Sequence, residues 1–321
     1  MLPRMKLTNK TILVTGGSGF LGGHVIEKLK SYDVRVLAPS HKELDLIRLE
    51  SCLDYFAKKR PHLVIHCAGA ISGLLQILDT PAEIFDTNVR INLNVLKAAH
   101  EYQAEKLVNI GSTCAYPGEL PTGYFQEEEF FNGPMHKSVE SYGFSKRAMV
   151  VGSTAYRQQY GLNSMTLLLT NMYGPGDVFS VERAHVASAL IKKFMVAKRN
   201  NEPAVEVLGT GKAVREFLYV EDAAEAILLA AEKYDEALPL NVGTGEEMPI
   251  AELAQMIKEL SGFTGRIVWN RNGPEGALRK VSDVSRMKEK LGWEPKYFLR
   301  DGLKKTIRWF EDHYEEAVSK I

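Results

Sequence analysis

The stretch TILVTGGSGFLG, Thr11–Gly22, reads as a short buried strand, a glycine-rich turn and the first turn of a helix. Thr11–Thr15 is β-branched and apolar, and the helical pattern runs over Phe20–Lys30. Glycines between a strand and a helix permit a tight turn and let a pyrophosphate approach backbone N–H groups at the helix N-terminus. Two registers fit: Gly16, Gly19 and Gly22 three apart, or the dinucleotide spacing of Gly17, Gly19 and Gly22. Either way Gly16, Ser18, Gly19, Phe20, Leu21 and Gly22 are candidates for holding a dinucleotide.

Outward from that turn the pattern repeats. Strand-like runs at Val34–Ala38, Leu63–Ala68, Lys106–Gly111 and Ser164–Leu169 alternate with helical patterns at Leu49–Lys59, Pro81–Tyr102 and Tyr142–Tyr160. Such alternation predicts an α/β fold, a Rossmann-type doubly wound parallel sheet with ligands beyond the carboxyl ends of its strands. After about Thr170 glycine and proline cluster at Tyr173–Gly176, Leu208–Gly211 and Asn241–Gly245, which signals a smaller C-terminal α/β lobe. Val220–Lys233 is helical and Pro239–Val242 strand-like, so the chain returns briefly to the sheet, and Asp301–Val318 reads as one amphipathic helix. The expected division is 1–170 plus about 216–245 for the dinucleotide and about 171–215 plus 246–321 for a substrate.

Composition excludes several classes. Lys+Arg and Asp+Glu are both 40, so no net field recruits nucleic acid or a membrane surface. Cys52, Cys67 and Cys114 are an odd set without CxxC spacing, against a disulfide frame or a metal site. The start MLPRMK lacks the apolar run of a signal peptide, and Ala223–Ala231 is too short to span a bilayer. A cytoplasmic enzyme is expected.

Tyr142 and Lys146 stand four apart, on one face of a helix. An ammonium beside a phenol favours the phenolate and is expected to lower a value that is ordinarily about 10. Ser112, just after a strand, is placed to hydrogen-bond a substrate carbonyl beside Tyr142. Where NAD sites carry an acid on the adenosine ribose about 20 residues downstream, this chain offers Ser40, His41 and Lys42 before Glu43. A hydroxyl and a cation there favour NADP(H).

These motifs, with Asn171–Pro175, Arg215–Asp222 and Asn241–Gly245, together resemble the extended short-chain dehydrogenase/reductases over nearly the whole chain. Within that group the sequence is most similar to the GDP-L-fucose synthase branch, bifunctional 3,5-epimerase/4-reductases of GDP-4-keto-6-deoxymannose. The resemblance implies that Ser112, Tyr142 and Lys146 serve reduction and that Cys114 and His185 serve epimerisation. Read alone, Cys114 is equally a small core residue, and His185 a structural histidine in an apolar helix, Ala184–Leu190. The resemblance further implies Arg215 on the diphosphate, with Asn171, Lys193, Leu208 and Arg279 on the substrate, Lys192 and Lys280 adding charge, and Asp45, Leu46, Ala68 and Asn171 around the cofactor. It also implies a homodimer through the two long helices. The chain departs from the family at Leu208, where a base-stacking Trp is usual, at Ser18, where a basic residue is common, and in the loop from Ala70 to Leu75. A simple 4-reductase or 4-epimerase of another nucleotide sugar is the second reading, a non-catalytic dinucleotide-binding protein the third.

Overall fold

Six apolar runs lie side by side as one parallel sheet, in the order Leu240–Val242, Ser164–Leu169, Lys106–Ser112, Leu63–His66, Thr11–Thr15, Arg35–Leu37. The computed structural model describes residues 5–70, 73–120, 123–180, 184–272 and 276–319. The period-2 pleat sends neighbouring side chains to opposite faces. Ile12, Val14, Leu63 and Ile65 pack with Val25 and Leu29 of the helix Phe20–Leu29 and with the alanine-rich helix Val220–Lys233. Leu13 and Val64 face the other way, onto Cys52, Phe56, Val95 and Leu96 of the helices Leu49–Lys59 and Pro81–Glu101. Each such side chain, fully buried, is worth about 1.5–3 kcal/mol in transfer free energy. Burial on both faces explains why these strands are continuous apolar runs in the sequence.

Strand Thr11–Thr15 has the next strand in sequence, Arg35–Leu37, on one side and Leu63–His66 on the other. The chain therefore leaves it in opposite directions, and a crevice opens beyond Thr15 and His66, the place where open α/β sheets bind ligands. The expected runs at Leu49–Lys59, Ser164–Leu169 and Val220–Lys233 match the elements, while Val34–Ala38 shortens to Arg35–Leu37 and the helix expected over Tyr142–Tyr160 begins earlier, at Glu140.

Beyond the sheet, Ala204–Leu208 pairs in parallel with Arg266–Asn270, and Val214–Arg215 lies between Met248–Pro249 and Arg279–Lys280. A separate apolar core, with Phe179, Phe194, Phe263 and Phe310, holds these pieces with the helices Val186–Arg199, Ile250–Ser261 and Leu299–Asp312. The single tail helix expected over Asp301–Val318 is two, Leu299–Asp312 and Tyr314–Ser319. His313 leaves helical backbone between them, at φ −119° and ψ 30°, with its ring stacked on Trp309. Among the described residues no helix is long and apolar enough to cross a membrane.

Candidate active site

A cleft of about 840 Å³ opens at the carboxyl ends of the sheet strands and runs on to the smaller set of strands. That is near the upper end of ordinary ligand sites, about 300–1,000 Å³. At its sheet end the turn after Thr15 needs glycine for two different reasons. Gly16 sits at φ +68°, in the left-handed region, and a Cβ there would lie 2.8 Å from the backbone of Ala68. A Cβ on Gly22 would lie 2.2 Å from the carbonyl oxygen of Gly16. A Cβ on Gly17 would meet the movable end of the Ile26 side chain at 2.7 Å and Ala38 Cβ at 3.1 Å, and its backbone is not in the left-handed region. The structure thus selects the register Gly16, Gly19, Gly22. Gly19 caps the following helix with no side-chain hydrogen bond, so N–H groups at this helix end face the cleft without a side-chain acceptor.

Ser18, Phe20 and Leu21 line the cleft with those glycines, as do His41, Asp45, Leu46 and Ala68. Ser40 and Lys42 do not. The Ser40 backbone N–H and hydroxyl both donate to Glu43 Oε2, at 2.9 and 2.8 Å, and these bonds hold the Glu43 carboxyl below its usual range. The expectation that the Ser40 hydroxyl faces the ligand is corrected: a local turn has taken it.

Tyr142 and Lys146 are both buried, on the helix Glu140–Tyr160 where it passes the strand Lys106–Ser112. Lys146 Nζ donates to the Ile110 carbonyl at 2.8 Å and stands 5.7 Å from the centre of the Tyr142 ring. Burial lowers Lys146 to about 8. The phenol moves opposite to the sequence expectation: burial pushes Tyr142 up, the charge at Cys114 adds to the rise, and a hydrogen bond from Ser112 offsets part of it. Desolvation of the charged form outweighs the lysine here because the ammonium is directed at a backbone carbonyl. Tyr142 is therefore a firmly protonated acid at neutral pH.

Ser112 also accepts from the backbone N–H of Cys114 at 3.1 Å, which starts the single turn Thr113–Ala115 and brings Cys114 over Tyr142. Across the cleft stands His185. It is the residue before the helix Val186–Arg199, at extended backbone, and not inside an apolar helix as the sequence suggested. Asn171, Lys193, Leu208 and Arg215 line the same cleft. Asn171 Nδ2 donates to the Glu216 carbonyl at 2.9 Å, and Lys193 Nζ to the Glu206 carbonyl at 2.9 Å. Arg279 is outside it. Its guanidinium pairs with Glu247 and lies 4.1 Å over the Tyr124 ring, while the next residue, Lys280, turns inward. The alternation of a strand explains the exchange.

Sequence reading passed over three buried groups. Asp177 lies in the cleft wall, its carboxylate accepting from the Val178 N–H at 2.7 Å and from the Ser188 hydroxyl. Burial raises its carboxyl and the charge of nearby His185 opposes that rise. Glu216 gathers the N–H groups of Thr244, Gly245 and Ser282 at 2.6–2.9 Å, tying the strand of Arg215 to that of Lys280. Thr15 Oγ1 donates to His66 Nδ1 at 2.7 Å and His66 Nε2 to Asn92 Oδ1 at 3.1 Å, joining the glycine turn to the long helix. That tautomer follows because Asn92 Oδ1 can only accept, while burial, helped by the Lys146 charge, lowers His66 to about 3 and leaves it neutral. An acid after Gly-Pro-Gly and another beside Arg215 were visible signals, but only packing shows that they are buried.

The profile of the NAD dependent epimerase/dehydratase family matches residues 12–243. The chain is 36% identical over 308 residues to the probable GDP-L-fucose synthase 1 of Oryza sativa subsp. japonica, covering 95% of this chain and 93% of that one. It superposes with a TM-score of 0.91 on a GDP-L-fucose synthetase from Naegleria fowleri bound to NADP, at 29% identity, covering 99% and 97% of the two chains. A GDP-6-OMe-4-keto-L-xylo-heptose reductase from C. jejuni gives the same TM-score at 27% identity, covering 97% and 99%.

Proposed function

The chain belongs to the NAD dependent epimerase/dehydratase family, and from that premise we propose that it is an NADPH-dependent epimerase/reductase of a GDP-linked 4-keto-6-deoxyhexose, converting GDP-4-keto-6-deoxymannose to GDP-L-fucose. The observation that carries the reading is the meeting, in one cleft, of Ser112, Tyr142 and Lys146 with Cys114 and His185. A reductase needs the first three alone; the second pair adds two titratable groups on facing walls.

The glycine turn fits a dinucleotide, since side chains at Gly16 and Gly22 would fill the cradle that its pyrophosphate requires. We assign Gly16, Ser18, Gly19, Phe20, Leu21 and Gly22 to the phosphates. His41, Asp45, Leu46 and Ala68 belong to the adenosine side, and Tyr142, Lys146 and Asn171 to the nicotinamide side. Glu43 is turned onto Ser40 and does not line the cleft, so it does not oppose a 2′-phosphate there, which supports NADP(H). When bound, NADPH supplies the hydride that reduces C4.

The 4-ketone makes the hydrogens on C3 and C5 acidic. One of Cys114 and His185 takes such a proton, and the other returns one to the opposite face of the enolate, which inverts the centre. Tyr142 then gives its proton to the C4 alkoxide as that oxygen gains charge. A phenol held in its neutral form by burial is suited to donate, and the Lys146 ammonium stabilises the phenolate left behind. Ser112 holds the reacting oxygen beside it. Arg215 is assigned to the diphosphate, with Lys193, Leu208 and Asn171 along the nucleotide; Arg279, committed to Glu247, is not.

On this reading residues 1–170 and about 216–245 hold the dinucleotide, and about 171–215 and 246–321 the sugar nucleotide. We further propose a cytoplasmic homodimer. Phe85 and Leu93 on one long helix, and Phe144 and Val151 on the other, are large apolar side chains in contact with solvent, which supports a two-helix interface. Sedimentation as a monomer at micromolar concentration would remove that proposal. A reductase without epimerisation is the second reading, favoured by the likeness to the C. jejuni heptose reductase. The deciding experiment follows NADPH oxidation on a panel of nucleotide 4-keto sugars in D₂O. Deuterium at C3 and C5 of a reduced GDP-sugar is expected; reduction with no deuterium gained would leave only the second reading.

A further inference from the structure

Cys114 is enclosed by groups from several elements. Partly buried, it packs against the apolar cluster of Ile77, Ile84, Val139 and Tyr142. Its backbone N–H is held by Ser112. Facing its sulfur is a cation, Lys280 Nζ at 3.9 Å. That cation is delivered by the fold. The strand Arg279–Lys280 runs parallel to Val214–Arg215 with Lys280 opposite Arg215, and Glu216 fastens the two strands by accepting from Ser282 on one side and from Thr244 and Gly245 on the other. Alternation then sends Arg279 out to Glu247 and Lys280 into the cleft. Tyr142 also faces Cys114, and nearby His136 is lowered by burial and by the charges of Lys280 and Arg215, with Glu119 opposing them in part.

We infer that Lys280 is the charge partner of Cys114, its ammonium placed to stabilise the sulfur when that sulfur acts as a proton acceptor, and that the anchoring of substrate phosphate rests on Arg215. The role deepens the epimerase reading and rests on it, but the pairing itself concerns only these two side chains. An ammonium close to a thiol favours the thiolate, which is the species that both abstracts protons and reacts with electrophiles. Lys280 keeps its proton throughout and acts through Cys114, as a positioning residue.

The full-length protein without substrate tests the pairing. Iodoacetamide, an uncharged reagent, is applied at pH 7, and alkylation of the Cys114 peptide is followed by mass spectrometry. Cys52 and Cys67 serve as slow internal references, because burial pushes both thiols up to about 12. In Lys280→Gln the Cys114 rate is expected to fall about tenfold, while Lys280→Arg stays within about twofold. Solvent-deuterium uptake at C3 and C5 should fall in parallel, with the KM for the nucleotide sugar changing less. An alkylation rate that is unchanged or faster in Lys280→Gln overturns the pairing, and a raised KM beside it would make Lys280 a phosphate ligand instead. A reduced alkylation rate in a protein that turns over no GDP-linked keto sugar upholds the pairing and removes the epimerase reading, so the two fail separately.

Discussion

The two halves of the chemistry are built differently. Tyr142 and Lys146 come from one helix, are buried, and lean on the backbone of the sheet through Ile110. Cys114 and His185 come from a single turn after a strand and from the residue before a helix in the other core; both line one cleft because the two parts of the chain border it. A site carried on one rigid element is fixed by the core beneath it, while one assembled across a cleft depends on every contact that sets the two walls, including those of Glu216 and Asp177.

That contrast is broken or sharpened by substitutions, beginning with the largest expected effect. Tyr142→Phe should lower the rate of C4 reduction by about 10²–10⁴-fold, the usual weight of a general acid, while deuterium still enters C3 and C5. Equal loss of both activities would mean that the two halves are one machine. Cys114→Ser should do the reverse, reducing deuterium entry by about 10²-fold or more with C4 reduction kept, as expected when one acid/base group is lost. In Gly22→Ala the new Cβ meets the Gly16 carbonyl, so a loss of about 1–3 kcal/mol in urea unfolding is expected, with at least tenfold weaker NADPH binding by fluorescence titration.

His66 offers a pH test of the sheet-borne half. Its folded value, about 3, lies below the ordinary 6.5, so the unfolded chain takes up a proton that the folded chain refuses. The stabilisation is complete above pH 6.5 and is lost as pH falls toward 3, at about 1.4 kcal/mol per pH unit. Urea unfolding at pH 7, 6 and 5 should show that slope diminished in His66→Gln. The smallest effect belongs to Arg279→Ala: about 0–1 kcal/mol, as for an exposed ion pair, and a KM for the nucleotide sugar within about threefold. A tenfold rise in KM would return Arg279 to the substrate.

How much could be read in advance follows the same division. The parallel sheet, the glycine turn and the Tyr142/Lys146 face are periodic or local, and the sequence carries them directly. The register of the glycines was open until the left-handed backbone of Gly16 and its close approach to Ala68 chose it. Ser40 misled because its hydroxyl was counted as available, whereas a side chain three residues on had claimed it. The direction of the Tyr142 shift was missed because spacing reports a neighbouring charge and says nothing of how deeply both groups are buried. Lys280 and Arg279 are adjacent cations, and only strand pairing tells which of them faces the cleft.

One detail of the glycine turn reaches beyond catalysis. The helix at Phe20 begins at Gly19 with no side chain to close its N-terminal turn, where Ser, Thr or Asp commonly adds a few tenths of a kcal/mol over glycine. On the assignment proposed above, the dinucleotide phosphates would accept from those N–H groups, and the cofactor would double as the helix's missing end-piece. The melting temperature should then climb with NADPH concentration, by the equivalent of about 2.7 kcal/mol at a hundredfold excess over Kd. In a cell, the lifetime of this chain would follow the supply of its own reductant.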